Sequence, residues 1–350
     1  MSDRLQPFLL AVLAFSLACQ VESGDNDDAG APAELGDQLW ERSLAANGIA
    51  LAVVRNGSVA VVGNEAGGLW LGRFSAEGEP LWSRTEPGVL ALAVAADAQR
   101  IIYAAGALGL ESPSGGRITA YNLDGEHLWS LDDPARTPRT LASAPGGGVF
   151  AVGPAGAGEA GIFIERVLPS GDVQWSLTEA DVAGEWLDAD TWTDDMLLIT
   201  GYREDGSWWV QARTALGDKL WTAELGEVIG PGFPSLAHGV RIHASILAQG
   251  EGHRGLVAAV SPWSGSVEWI QPLEQPPTDL AVGDGGSILL AGLVSPSITA
   301  LGSGGATEWS IEPDDACPKT YGVARRSPTD AVLLRWCAGG GSQLALVQTQ

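Results

Sequence analysis

Three histidines, His238, His243 and His253, fall inside the stretch "LAHGVRIHASILAQGEGH". Histidine is the side chain most often used to move protons near neutral pH or to hold a transition metal. The spacing argues against a shared ligand set. Residues five apart do not share a strand face, because strand faces repeat every two residues. Surface positions at the edge of a structural unit are the plainer reading. A second stretch, "WLDADTWTDD", carries Asp188, Asp190, Asp194 and Asp195. Alternating carboxylates can hold calcium through oxygen, but the glycine and terminal glutamate of a calcium loop are missing. Solvated loop charge is expected there, and no metal site is assigned.

Aromatic residues are the next candidates. Trp186, Trp192, Trp208, Trp209 and Trp263, with Tyr202, cluster in one part of the chain. Exposed aromatics anchor protein partners or sugars, whereas buried ones only pack. Both readings are open; if a binding face exists, this sector is the first place for it. No Gly-x-Ser-x-Gly elbow, phosphate-binding loop or His-Glu-x-x-His pair is present. No catalytic residue and no cofactor is assigned.

Cys317 and Cys337 are equidistant from residue 327, inside the turn-forming string "RRSPTD". Strands paired across such a turn bring the two sulfurs near each other. A disulfide is expected, closing a 20-residue separation and worth about 3 kcal/mol in the chain-entropy model. It requires an oxidising compartment.

The elements that must position these residues are periodic. Gly-x-x-x-Trp recurs with its tryptophan at Trp40, Trp82, Trp129, Trp175, Trp221, Trp269 and Trp309, in steps of 42, 47, 46, 46, 48 and 40 residues. Between these slots lie short apolar runs ending in glycine, such as "VAVVG", "IIYAAG" and "ILLAG". A period of 40–50 residues built from short strands marks a propeller-type array. Each unit reads as four strands; in the second full unit these are "VLALAVA", "RIIYAAG", "RITAYNL" and "LWSLD". The expected fold is all-β, a seven-bladed β-propeller of four-stranded antiparallel blades. The glycine sits in the hairpin turn before the last strand. The tryptophan fills the space between neighbouring blades, worth roughly 4–6 kcal/mol if its whole area is buried. The first Gly–Trp unit lacks preceding strands and the last unit lacks a fourth. Residues 37–44 should therefore complete the last blade beside 342–349 and close the ring.

The N-terminus reads as an address. "FLLAVLAFSLA" is an apolar run of signal-peptide length, too short to span a bilayer as a helix. It ends at Cys19, and "SLAC" resembles the lipobox of bacterial lipoproteins, whose cysteine is lipidated and becomes the mature N-terminus. Residues 1–18 are thus expected to be a signal peptide. Residues 19–35 form an acidic tether too polar to order itself, and 36–350 form the propeller. Gln20 in place of Asp after the cysteine implies, by the same resemblance, the outer membrane, facing the periplasm or the exterior.

The formal net charge of −24 repels phosphates, so nucleic-acid partners are excluded. It also disfavours anionic lipid headgroups, leaving a lipid anchor as the sole membrane contact. A monomeric domain is expected.

The Gly–Trp pattern resembles the quinoprotein-like (PQQ-type) propeller repeat, whose units end in a glycine followed by a docking tryptophan. That family includes the lipid-anchored propeller subunit of the outer-membrane β-barrel assembly machine, a protein-binding scaffold. The chain departs from its relatives in having seven units where eight are common. It also lacks the neighbouring cysteine pair of many quinoprotein dehydrogenases. The resemblance therefore implies a lipid-anchored, non-enzymatic scaffold that binds envelope proteins. A carbohydrate-binding propeller and a quinone-dependent or carbohydrate-active enzyme are the alternatives.

Overall fold

Strings such as "VAVVG" and "ILLAG" are too short for helices and rich in β-branched residues, so they pair as strands. The computed structural model describes residues 36–350 apart from 111–113, 157–158, 181, 183–186, 194–195, 204, 228–233, 251–252, 284–285, 294–297, 313–315, 339 and 350. The segments expected to be signal peptide and tether, with Cys19, and Trp186, Asp194 and Asp195 lie outside the described residues. Among the described residues there is no helix, and hence none long and apolar enough to cross a membrane.

Each blade is an antiparallel meander running from the ring's centre outward. The chain opens with β1 (Gln38–Ser43). Blade 1 is β2 (Asn47–Val53), β3 (Val59–Glu65), β4 (Gly68–Phe74) and β5 (Pro80–Pro87). Blade 2 is β6 (Val89–Ala96), β7 (Ile102–Leu108), β8 (Gly116–Tyr121) and β9 (His127–Asp133). Blade 3 is β10 (Thr140–Ser143), β11 (Val149–Pro154), β12 (Ile162–Val167) and β13 (Val173–Glu179). Blade 4 is β14 (Leu187–Trp192), β15 (Met196–Tyr202), β16 (Ser207–Thr214) and β17 (Lys219–Glu227). Blade 5 is β18 (Pro234–His238), β19 (Ile242–Gly250), β20 (His253–Val260) and β21 (Val267–Leu273). Blade 6 is β22 (Pro277–Val282), β23 (Ile288–Gly292), β24 (Ile298–Leu301) and β25 (Thr307–Ile311). Blade 7 is β26 (Lys319–Ser327), β27 (Asp330–Cys337) and β28 (Gly341–Gln348), with β1 as its fourth strand.

Each inner strand meets the inner strand of the next blade, and β26 meets β2, so the ring is closed. The last seam is made by β1 on β28, with Trp40 opposite Leu346 and Ser43 opposite Gln343. No blade is left with an unpaired position at the joint, which removes an edge that would otherwise recruit other chains.

Middle strands are covered on both sides by neighbouring blades. Every residue of β4 is buried, while most of the outer strand β5 is exposed. The hydrophobic core is accordingly divided into clusters between blades; one joins Leu198, Val210 and Trp208 of blade 4 to Leu236, Ile242 and Ala258 of blade 5.

The repeated tryptophans stand on the outer strands and are half-buried. Full burial, assumed in the sequence-based energy, does not apply, because an outer strand has solvent on one side. Each indole reaches the following blade. Nε1 donates to Ala76 O from Trp40 (3.1 Å), to Leu123 O from Trp82 (2.7 Å) and to Pro169 O from Trp129 (2.8 Å). Trp175, Trp221 and Trp269 do the same to Ala215, Pro262 and Ser303 at 3.2, 2.9 and 3.2 Å. Trp309 packs against the core cluster between blades 6 and 7. Cys317, two residues before β26, is disulfide-bonded to Cys337 at the end of β27, stapling the closing blade.

Candidate functional site

Side chains two apart on a strand share a face. On β14 this puts Asp188, Asp190 and Trp192 on the side of blade 5, while Leu187 and Ala189 pack into the cluster shared with blade 3. The three form a column along the inner wall of the blade 4–5 interface. Deepest is Asp188. Its Oδ2 accepts the backbone N–H of Leu236 at 2.8 Å, and its Oδ1 accepts Thr140 Oγ1 at 3.0 Å and Ala189 N–H at 2.9 Å. One carboxylate thus ties the inner strands of blades 3, 4 and 5. Asp279 repeats the device on β22, accepting Ser235 Oγ at 2.7 Å and Val323 N–H at 2.9 Å. Burial pushes the Asp188 carboxyl up to about 7, aided by the charge of Asp279, and pushes Asp279 up to about 6. Their hydrogen bonds offset part of that cost, since each stabilises the ionised form.

Next in the column is an acid–imidazole pair. Asp190 Oδ2 lies 2.6 Å from His238 Nδ1, and both side chains are partly open to solvent. Burial pulls the imidazole down, but the hydrogen bond and charge of Asp190 outweigh it, so His238 titrates above its ordinary value. A carboxylate that orients an imidazole through Nδ1 is chemically competent for proton transfer and for charge-assisted binding.

At the end of the column Trp192 donates from Nε1 to Gly239 O at 3.1 Å, and its ring meets Trp263 edge-on, centroids 4.7 Å apart. Trp192 is buried. Trp263 is 78 % exposed and Val240, beside Gly239, is 73 % exposed. Two large apolar side chains therefore stand in water on turns that a buried indole and its hydrogen bond hold in place. Large apolar groups held rigid in solvent are a common form of contact surface.

The other aromatics of this sector are not surface residues. Trp208 and Trp209 are fully buried, Trp208 in the cluster with blade 5 and Trp209 in the cluster with blade 3. They sit on a middle strand, where both faces are covered, so successive residues are both internal. Tyr202 is half-buried and packs against the first of these clusters. A sugar-binding face built on Trp208 or Trp209 is thereby ruled out by position. His243 is also internal, held neutral by burial and the charge of Arg241, which lower it to about 4. Of His253 only the backbone is described. Among the described residues no group of three or more His, Cys, Asp or Glu side chains could hold a metal ion.

The sequence of residues 29–195 matches the family model described as "Outer membrane protein assembly factor BamB". That model and the seven-bladed ring agree. The chain is a seven-bladed β-propeller, and its residues 29–195 resemble PQQ-type repeats. No curated protein matches it significantly. Among solved structures this propeller is similar to virginiamycin B lyase from Staphylococcus aureus, at 13 % identity and TM-score 0.65 over 88 % of this chain and 98 % of that one. A catalytically inactive histidine-to-alanine variant of that lyase, solved with quinupristin, aligns at 12 % identity and TM-score 0.67. A chain of the mitotic checkpoint complex aligns at 12 % identity and TM-score 0.66 over 95 % of this chain and 99 % of that one. At these identities the likeness is one of fold.

Proposed function

We propose that the protein is an exported, lipid-anchored propeller that serves as a non-enzymatic scaffold for other proteins of the cell envelope. In this reading residues 1–18 direct export and Cys19 carries the lipid. Residues 19–35 tether a monomeric ring, residues 36–350, to the outer membrane. The observation that carries the reading is Trp263, solvent-exposed and braced by the buried Trp192, whose hydrogen bond to Gly239 also holds the turn bearing the exposed Val240. The similarity of residues 29–195 to an outer-membrane assembly factor supports the same address. A photo-crosslinking amino acid at position 263, expressed at native level in intact cells, should trap a single protein partner. A chain recovered unattached under conditions that crosslink a positive control would overturn the reading. Cys19→Ala should release the protein from the membrane fraction.

A second reading, an enzyme, is favoured by the Asp190–His238 pair alone. It predicts turnover in a screen of glycans and of alcohols with added quinone and calcium, abolished by His238→Ala. An inactive wild-type protein in that screen leaves the scaffold reading in place.

A further inference from the structure

The outer parts of the blade interfaces are closed by different means. Between blades 1 and 2, Glu86 accepts Thr119 Oγ1 at 3.0 Å and Tyr121 OH at 2.9 Å. Between blades 2 and 3, Arg136 reaches Glu165 and Ser176, both at 2.9 Å. Between blades 3 and 4, Glu179 takes Arg213, Gln211 and Lys219. Between blades 5 and 6, Arg241 and Trp269 both reach Ser303 O, at 3.4 and 3.2 Å. The same interface also holds a cleft of about 330 Å³, at the lower end of the range for small-molecule sites.

The floor of the cleft is apolar and buried: Pro276 and Pro277 from the connector and start of β22, with Leu290 and Leu301 from blade 6. Its rim is polar, with the carboxamide of Gln271 and the hydroxyls of Thr299, Thr307 and Ser310. The core beneath is the smallest of the described clusters, made of Val257, Leu280, Ile288, Leu290 and Leu301. Two buried polar side chains on β19 sit behind it. His243 lies against Trp269, and Ser245 shares a cross-strand row with the rim residue Gln271 through Val257. Neither ring nitrogen of His243 nor the hydroxyl of Ser245 has a hydrogen-bond partner among the described residues.

Charge selects the ligand. Among the described residues lining the cleft, Glu274 is the only ionisable side chain, with no Lys, Arg or His. The whole chain carries −24. An anion is repelled locally and at long range, whereas a cation gains both from Glu274 and from the field. We propose that the cleft between blades 5 and 6 binds a small organic cation, an ammonium or guanidinium group carried on an apolar body. The apolar part lies on the Pro276, Pro277, Leu290 and Leu301 floor, and the charged end meets Glu274 among the hydroxyls of the rim. This site is separate from the Trp263 face and does not depend on the scaffold reading.

Phenylbutylamine, phenylbutanol and phenylbutyrate share one apolar body and differ in head-group charge, so saturation-transfer NMR titrations with the three isolate both parts of the proposal. For the unaltered protein the amine should bind about fivefold tighter than the alcohol, in line with a single exposed charge pair, and the acid weakest. Glu274→Gln should erase the preference of amine over alcohol. Thr307→Trp, at an exposed strand position that fills the cleft, should weaken amine and alcohol about tenfold or more while leaving the circular dichroism spectrum unchanged. Equal binding of the three probes, absence of binding by the amine, or affinities unmoved by Thr307→Trp would each overturn the proposal.

Discussion

The indole of Trp82 lies directly on Gly125 of the next blade: a β-carbon at Gly125 would come within 2.7 Å of the ring, whose Nε1 donates to Leu123 O at 2.7 Å. Gly125 also has φ of +75°. The glycine of six of the seven Gly–Trp slots thus answers to two demands, a left-handed turn and a seat for the indole of the preceding blade, while Gly36 faces Ile311 instead. Gly125→Ala should destabilise by about 2–4 kcal/mol, combining backbone strain with overpacking. Gly88→Ala is the control, since Gly88 has φ of +76° but nothing within 4 Å of a would-be β-carbon. It should cost about 1–2 kcal/mol. Equal losses in urea denaturation would show that the indole seat contributes nothing.

Asp188 and Asp279 make stability depend on pH. Both carboxyls titrate higher in the folded ring, at about 7 and about 6, than the ordinary carboxylate near 3.9. Between these values the folded state binds more protons than the unfolded chain. Their contribution is therefore fully present below about pH 4 and is lost as pH rises through 6 to 7, by up to about 1.4 kcal/mol per pH unit for each group. Asp188→Asn and Asp279→Asn should each flatten that part of the urea-midpoint profile, whatever they do to its height. A slope between pH 5 and 8 unchanged by both substitutions would contradict the buried pair.

The two kinds of tryptophan separate cleanly by substitution. Trp208→Ala removes a fully buried side chain and should cost about 3–5 kcal/mol. Trp263→Ala removes an exposed one and should change stability by less than about 0.5 kcal/mol while abolishing partner capture. Loss of folding in Trp263→Ala would show a structural post instead of a contact.

Opening the Cys317–Cys337 bridge should lower stability by about 3 kcal/mol. Hydrogen exchange should quicken in β26, β27 and β28 ahead of the other blades, because the bridge spans the closing blade alone. Uniform quickening around the ring would mean that the blades do not open independently.

Why the ring was legible and the column was not is a matter of range. The Gly–Trp slot, the four strands per unit and the odd strand at each end are local patterns with a fixed period, and they specify blade count and closure. Asp190 and His238 were seen as separate polar residues, yet they are 48 apart, the same step that separates Trp221 from Trp269. Residues one period apart on inner strands become neighbours, and that spacing was the available signal. Trp208 and Trp209 misled for a related reason. Alternation marks an exposed face only where one side of a sheet meets water, and the middle strands of a propeller have no such side. The cleft between blades 5 and 6 has no sequence signature, since it arises from what the facing side chains fail to fill.

The central claim is that the first strand completes the last blade. Glu41 pairs with Ala345 across the β1–β28 seam. With cysteines placed at both positions, mild oxidation of the folded protein should yield the 41–345 crosslink almost quantitatively by peptide mass spectrometry. Two free thiols in a protein that retains its native spectrum would contradict a ring closed in this way.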